Sequence, residues 1–63
     1  MNIDELEVNS RWYVRIGQAT TLVEREVIEI TELTVLLLNV NNIYSSYNKA
    51  RYLFSDIEFI EAC

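Results

Sequence analysis

Proline and histidine are absent from the chain, and it holds a single glycine and a single cysteine. Each scarcity removes a class of chemistry. Without histidine a serine or cysteine nucleophile lacks its usual base, and one glycine cannot build a phosphate-cradling loop. One thiol and no imidazole cannot supply the four ligands of a structural zinc site. Cys63, the last residue of the sequence, has no partner for an intramolecular disulfide and reads as a spare terminal thiol. The longest apolar run, Val35 to Leu38, falls far below the roughly 20 residues that span a bilayer. Met1 to Glu5 lacks the basic stretch that opens a secretion signal. The expectation is a cytoplasmic protein with no metal, no cofactor and no catalytic apparatus.

What is present points to a small folded domain. Apolar residues make up 51% and charged residues 24%, the balance of a globular protein rather than a disordered segment. The 63 residues suffice for one domain, 1–63. A chain this short buries only about 60% of its unfolded surface, so its stability is marginal. With disulfides and zinc excluded, oligomerisation is the remaining staple, and a homodimer is expected. Ten acidic residues against five basic give a net charge of -5. That sign disfavours direct contact with nucleic acid or anionic lipid and favours a basic protein partner.

Met1 to Ser10 is polar and acidic and reads as a loose arm or a short turn. From Arg11 to Ile16 the chain alternates, with Trp12, Val14 and Ile16 on one face and Arg11, Tyr13 and Arg15 on the other, the period of a half-buried strand. Gly17-Gln18-Ala19-Thr20 supplies a hairpin turn. Thr21 to Ile30 is a second strand whose alternation slips, and a bulge near Glu26 or Val27 would reconcile its halves. Thr31 can cap a helix with Glu32 in its first turn. On a helical wheel Leu33, Leu36, Leu37, Val40, Ile43, Tyr44 and Tyr47 fall within an arc of about 120°, the width of a core-facing stripe. Val35 and Leu38 then project together on the opposite side, where burial against a partner or second subunit would explain them.

After Asn48-Lys49-Ala50, the segment Arg51 to Ala62 reads as a third strand, with Tyr52 to Phe54 and Ile57 to Ile60 as its apolar parts. Ser55-Asp56-Ile57-Glu58 is also a capping-box pattern that could start a short helix through Cys63. The expected fold is α+β: a three-stranded antiparallel sheet packed on one helix, in the order β-β-α-β.

Glu24, Glu26, Glu29 and Glu32 run along the second strand into the helix start, and Asp56, Glu58 and Glu61 occupy the third. Fixed carboxylates in such a row can imitate DNA phosphates to a basic groove, while apolar groups fill the pocket meant for a flipped base. At Thr31-Glu32-Leu33-Thr34-Val35-Leu36-Leu37 the sequence resembles the short dimeric uracil-DNA glycosylase inhibitors of small tailed bacteriophages. In that family the helix opens Ser-Asp-Phe-x-Val-Leu-Tyr and the helices pair across the dimer. Leucine stands at Leu33 where the family has Phe, and at Leu37 where it has Tyr. The resemblance implies an acidic DNA mimic acting in a host cytoplasm, with a basic DNA-binding enzyme as its partner and uracil-DNA glycosylase the leading target. It gives Leu33 the role of apolar plug, with Val35 or Leu38 as rivals, and gives the acidic contacts to Glu24, Glu26 or Glu29. The alternative is a small adaptor or assembly module that binds a protein partner through Val35 and Leu38.

Overall fold

The computed structural model describes residues 6–41 and 48–63, and among them there is no α-helix. Five strands form one antiparallel sheet: β1 Arg11–Ile16, β2 Val23–Ile30, β3 Thr34–Leu38, β4 Lys49–Leu53 and β5 Ile57–Ala62, in the spatial order β4-β3-β2-β1-β5. The α+β expectation is therefore corrected to an all-β domain. The segment read as a helix from Thr31 is a turn followed by β3. Its proposed stripe residues Ile43, Tyr44 and Tyr47 lie outside the described residues, as does the Met1–Glu5 part of the arm.

The physical reason for the error lies in β3. The strand sits between β2 and β4, with Val35 and Leu37 turned into the core and Leu36 and Leu38 half-buried on the outer face. A strand covered on both faces shows a continuous apolar run with no alternation. Such a run imitates a helical stripe wherever leucines happen to fall three and four apart.

Arg11–Ile16 forms a strand as expected, with Val14 fully buried. The slip in the second strand is also real. The register passes from Val27↔Leu37 to Glu29↔Leu36, leaving Ile28 as the extra residue, one position beyond the expected bulge. That insertion turns Glu29 outward and Ile30 inward. It also divides β2, whose Val23–Glu26 half pairs with β1 and whose Glu26–Ile30 half pairs with β3.

The expected third strand is two strands. A 3-10 turn, Phe54–Asp56, separates β4 from β5, and the rival helix through Cys63 does not form. This turn joins the two edges of the sheet. In a flat sheet five strands wide those edges would lie about 19 Å apart. The four Cα steps from Leu53 to Ile57 reach at most about 14 Å. The sheet must therefore coil, and the bulge in β2 is where it bends.

Coiling encloses a core of Leu6, Val14, Val27, Val35 and Leu37, ringed by Trp12, Ile16, Val23, Ile30, Tyr52, Phe54, Ile57 and Phe59. Trp12 meets Phe59 edge to face at 5.9 Å, and its indole N–H donates to the Ser10 hydroxyl at 3.0 Å. Leu6 belongs to this core, so the expected arm is anchored at that residue, while Glu7, Val8 and Asn9 after it are exposed. Asn9 N–H donates to the Val27 carbonyl at 2.7 Å and holds it there.

Candidate binding site

The outer face of the sheet is ordered by charge. Acidic residues stand on β2 and β5, and basic residues on β1 and β4. In register, Arg11 lies opposite Glu26, Arg15 opposite Glu58, and Arg51 opposite Leu36, which in turn faces Glu29. Arg11 bridges Glu26 at 3.3 Å and Glu24 at 3.8 Å, and Arg15 pairs with Glu58. Arg51 reaches across Leu36 to Glu29 at 3.3 Å and donates to the Thr34 hydroxyl at 3.1 Å, forming a roof over that leucine. Such exposed pairs contribute only about 0.2–1 kcal/mol each to stability. Their larger effect is on the potential: three guanidiniums offset three of the four charges of Glu24, Glu26, Glu29 and Glu58 where they stand.

Acidic side chains without a cationic partner among the described residues are Glu7, Glu32, Asp56 and Glu61. Glu32 and Asp56 come together at one junction. Thr31 N–H donates to the Thr34 carbonyl at 2.9 Å, and Thr34 N–H donates back to the Thr31 hydroxyl at 3.0 Å. These bonds close a two-residue turn, Glu32-Leu33, between β2 and β3. Phe54 N–H then donates to the Leu33 carbonyl at 3.0 Å, and Gly17 N–H to the Asp56 carbonyl at 2.7 Å. The β1–β2 loop, the β2–β3 turn and the 3-10 turn are thereby pinned to one another.

Two leucines are exposed at this junction. Leu33, on the turn tip, is 69% exposed, and Leu53, at the end of β4 opposite Thr34, is 50% exposed. Turn tips ordinarily carry glycine, asparagine or aspartate. A leucine there adds no buried surface to the core.

The residues nominated from sequence are not one cluster. Glu24, Glu26 and Glu29 lie on the outer face, ion-paired, with half-buried Leu38 beside Glu26. Glu32 and Leu33 form the turn. Val35 is 0% exposed in the core, which removes it as a contact residue and corrects its pairing with Leu38 on one surface. The wheel exchanged Leu33 and Val35: the residue assigned to the core is outside, and the one assigned to the surface is inside. Leu53 went unnoticed because Tyr52 to Phe54 read as the interior of a strand. Ser55-Asp56, a turn signal directly after it, marks where that strand stops.

Among the described residues no group of three or more His, Cys, Asp or Glu side chains is arranged to hold a metal ion, and no helix is long and apolar enough to cross a membrane. No family model matches the chain, and neither the curated proteins nor the solved structures contain a match to it.

Proposed function

We propose that the protein is a non-enzymatic binding domain that engages a basic protein partner through the junction of Leu33, Leu53, Glu32 and Asp56. The observation that carries this reading is Leu33, a large apolar side chain presented at a turn tip beside Glu32, a carboxylate without a cationic partner among the described residues. An apolar plug with acidic side chains on the elements beside it suits a basic cleft with an apolar pocket at its floor. Enzymes that bind DNA and extract a base keep such a cleft. The reading therefore includes the inhibitor role, with Leu33 as the plug and a uracil-DNA glycosylase as the first target to try.

A glycosylase assay on a uracil-containing oligonucleotide, with and without a several-fold molar excess of the protein, tests that target. Inhibition that is lost in Leu33→Asp supports it. Undiminished cleavage at full excess removes the glycosylase.

The pairing of Glu24, Glu26, Glu29 and Glu58 favours a second reading, an adaptor that binds mainly through its apolar groups, because the outer face is no continuous row of negative charge. Ionic strength separates the two. A mimic of DNA loses affinity steeply with added salt, whereas an apolar adaptor holds its affinity.

A further inference from the structure

Both edges of the sheet are open among the described residues. β4 pairs only with β3, and β5 only with β1. An unpaired edge offers a row of N–H and C=O groups to any strand that can lie beside it. Here the two edges differ in sign. The outer-face residues of β4 include Lys49 and Arg51 and no acid, and those of β5 include Glu58 and Glu61 and no base. The strands are five and six residues long, and the register shift in β5 absorbs its extra residue, leaving Glu58 and Glu61 two ladder positions apart, as Lys49 and Arg51 are.

Side chains directly opposite one another on paired strands attract or repel according to charge. Two β4 edges brought together would oppose Lys49 and Arg51 to their own copies. Two β5 edges would do the same with Glu58 and Glu61. Both two-fold arrangements place like charges in register, and the mixed arrangement places opposite charges in register.

We infer that copies of this chain associate edge to edge, β4 of one against β5 of the next, adding a strand pair that continues the sheet from molecule to molecule. This interface is heterologous: each copy uses one edge to give and the other to receive. It generates a closed ring or an open row, and not the two-fold homodimer expected from chain length. Arg51 and Glu58 keep their internal partners and add a second one across the interface. Lys49 and Glu61, exposed and without an ion-pair partner among the described residues, gain their first. Of the junction residues only Leu53, the last of β4, lies on an edge used here, and charge reversal at Lys49 or Glu61 leaves it and Leu33 in place, so failure of this inference and failure of the proposed function are distinguishable.

Light scattering coupled to size exclusion, at low salt and over a range of protein concentration, tests it with four samples. The unaltered protein forms species larger than a dimer, and they shrink as salt is added. Lys49→Glu sets a carboxylate against Glu61 and Glu61→Lys sets an ammonium against Lys49, while Arg51 and Glu58 stay as they are, so each variant alone associates at least about tenfold more weakly. An equimolar mixture of the two recovers association, because positions 49 and 61 then meet with opposite charges between unlike copies. The double variant Lys49→Glu/Glu61→Lys recovers it alone. Thermal melts of each variant show that the monomer fold survives. A protein that stays monomeric at every concentration overturns the inference. A dimer indifferent to both reversals does so too, as does a mixture that fails to recover.

Discussion

Aspartate placed at Leu33 and at Val35 gives opposite outcomes, although two positions separate them in the chain. Leu33 is mostly in water, and its replacement by Asp shifts stability by less than about 0.5 kcal/mol. Val35 has no exposed surface, and a carboxylate there is an unpaired charge in the core. A domain of this size holds only about 3–9 kcal/mol of stability, so Val35→Asp unfolds it. Urea titrations of the two variants check this; a cooperative, near-normal transition for Val35→Asp would contradict the placement of β3. The terminal thiol gives a second residue-scale test. Cys63 is held above its ordinary pKa by loss of hydration, then by the Glu24 carboxylate, with Arg11 opposing and Glu61 adding to the rise. A raised pKa means less thiolate at any mildly alkaline pH, and the thiolate is the species that reacts. Alkylation of the folded protein is therefore slower than in urea, and the pH at which its rate rises moves upward. Glu24→Gln recovers part of the difference. Equal rate profiles for folded and unfolded protein would show that the sheet does not touch the thiol.

Elements were legible in the sequence where one face is wet. β1 shows its period because Arg11, Tyr13 and Arg15 face outward while Trp12, Val14 and Ile16 face in, and the slip in β2 announces its bulge. β3 hides its period because Leu36 and Leu38 are covered on the outer face by the side chains of neighbouring strands. Nothing in a five-residue stretch tells that a roof of Arg51 and Glu29 will form over it, since those residues are 22 apart in the chain. The division of Arg51 to Ala62 was missed for a related reason. A 3-10 turn without a side-chain cap leaves few local marks, and Ser55-Asp56 fits a helix start equally well. The candidate site fared likewise: Glu32 and Leu33 were nominated, but their meeting with Leu53 and Asp56 depends on the coil of the sheet. The β1–β2 connection is a testable part of that coil. Gly17 has φ +60 and nothing within 4 Å of where a Cβ would stand. The cost of Gly17→Ala is therefore backbone strain alone, about 1 kcal/mol. A thermal melt lower by several degrees is expected, and an unchanged melt would mean the loop relaxes freely.

The whole molecule depends on its last strand. β5 completes the core with Ile57 and Phe59 and covers the edge of β1, while its partners lie far back in the sequence, 45 residues in the Val14↔Phe59 pair and 43 in the Arg15↔Glu58 pair. Removal of residues 57–63 exposes one flank of Trp12 and Val14, and we expect the shortened chain to show no cooperative unfolding transition. A two-state melt in that variant would show that β1 to β4 suffice. The same strand governs how the protein responds to force. Cys63 N–H donates to the Arg11 carbonyl at 2.9 Å, and Trp12 lies opposite Ala62, so the start of β1 and the end of β5 are neighbours running in opposite directions. Tension applied at those two points loads the β1–β5 hydrogen bonds one after another, as in opening a zipper, and never all at once as in shear. Whatever the thermal stability of the sheet, a machine that pulls on its C-terminal end meets little mechanical resistance, and β5 in leaving takes Phe59 from its contacts with Trp12 and Phe54.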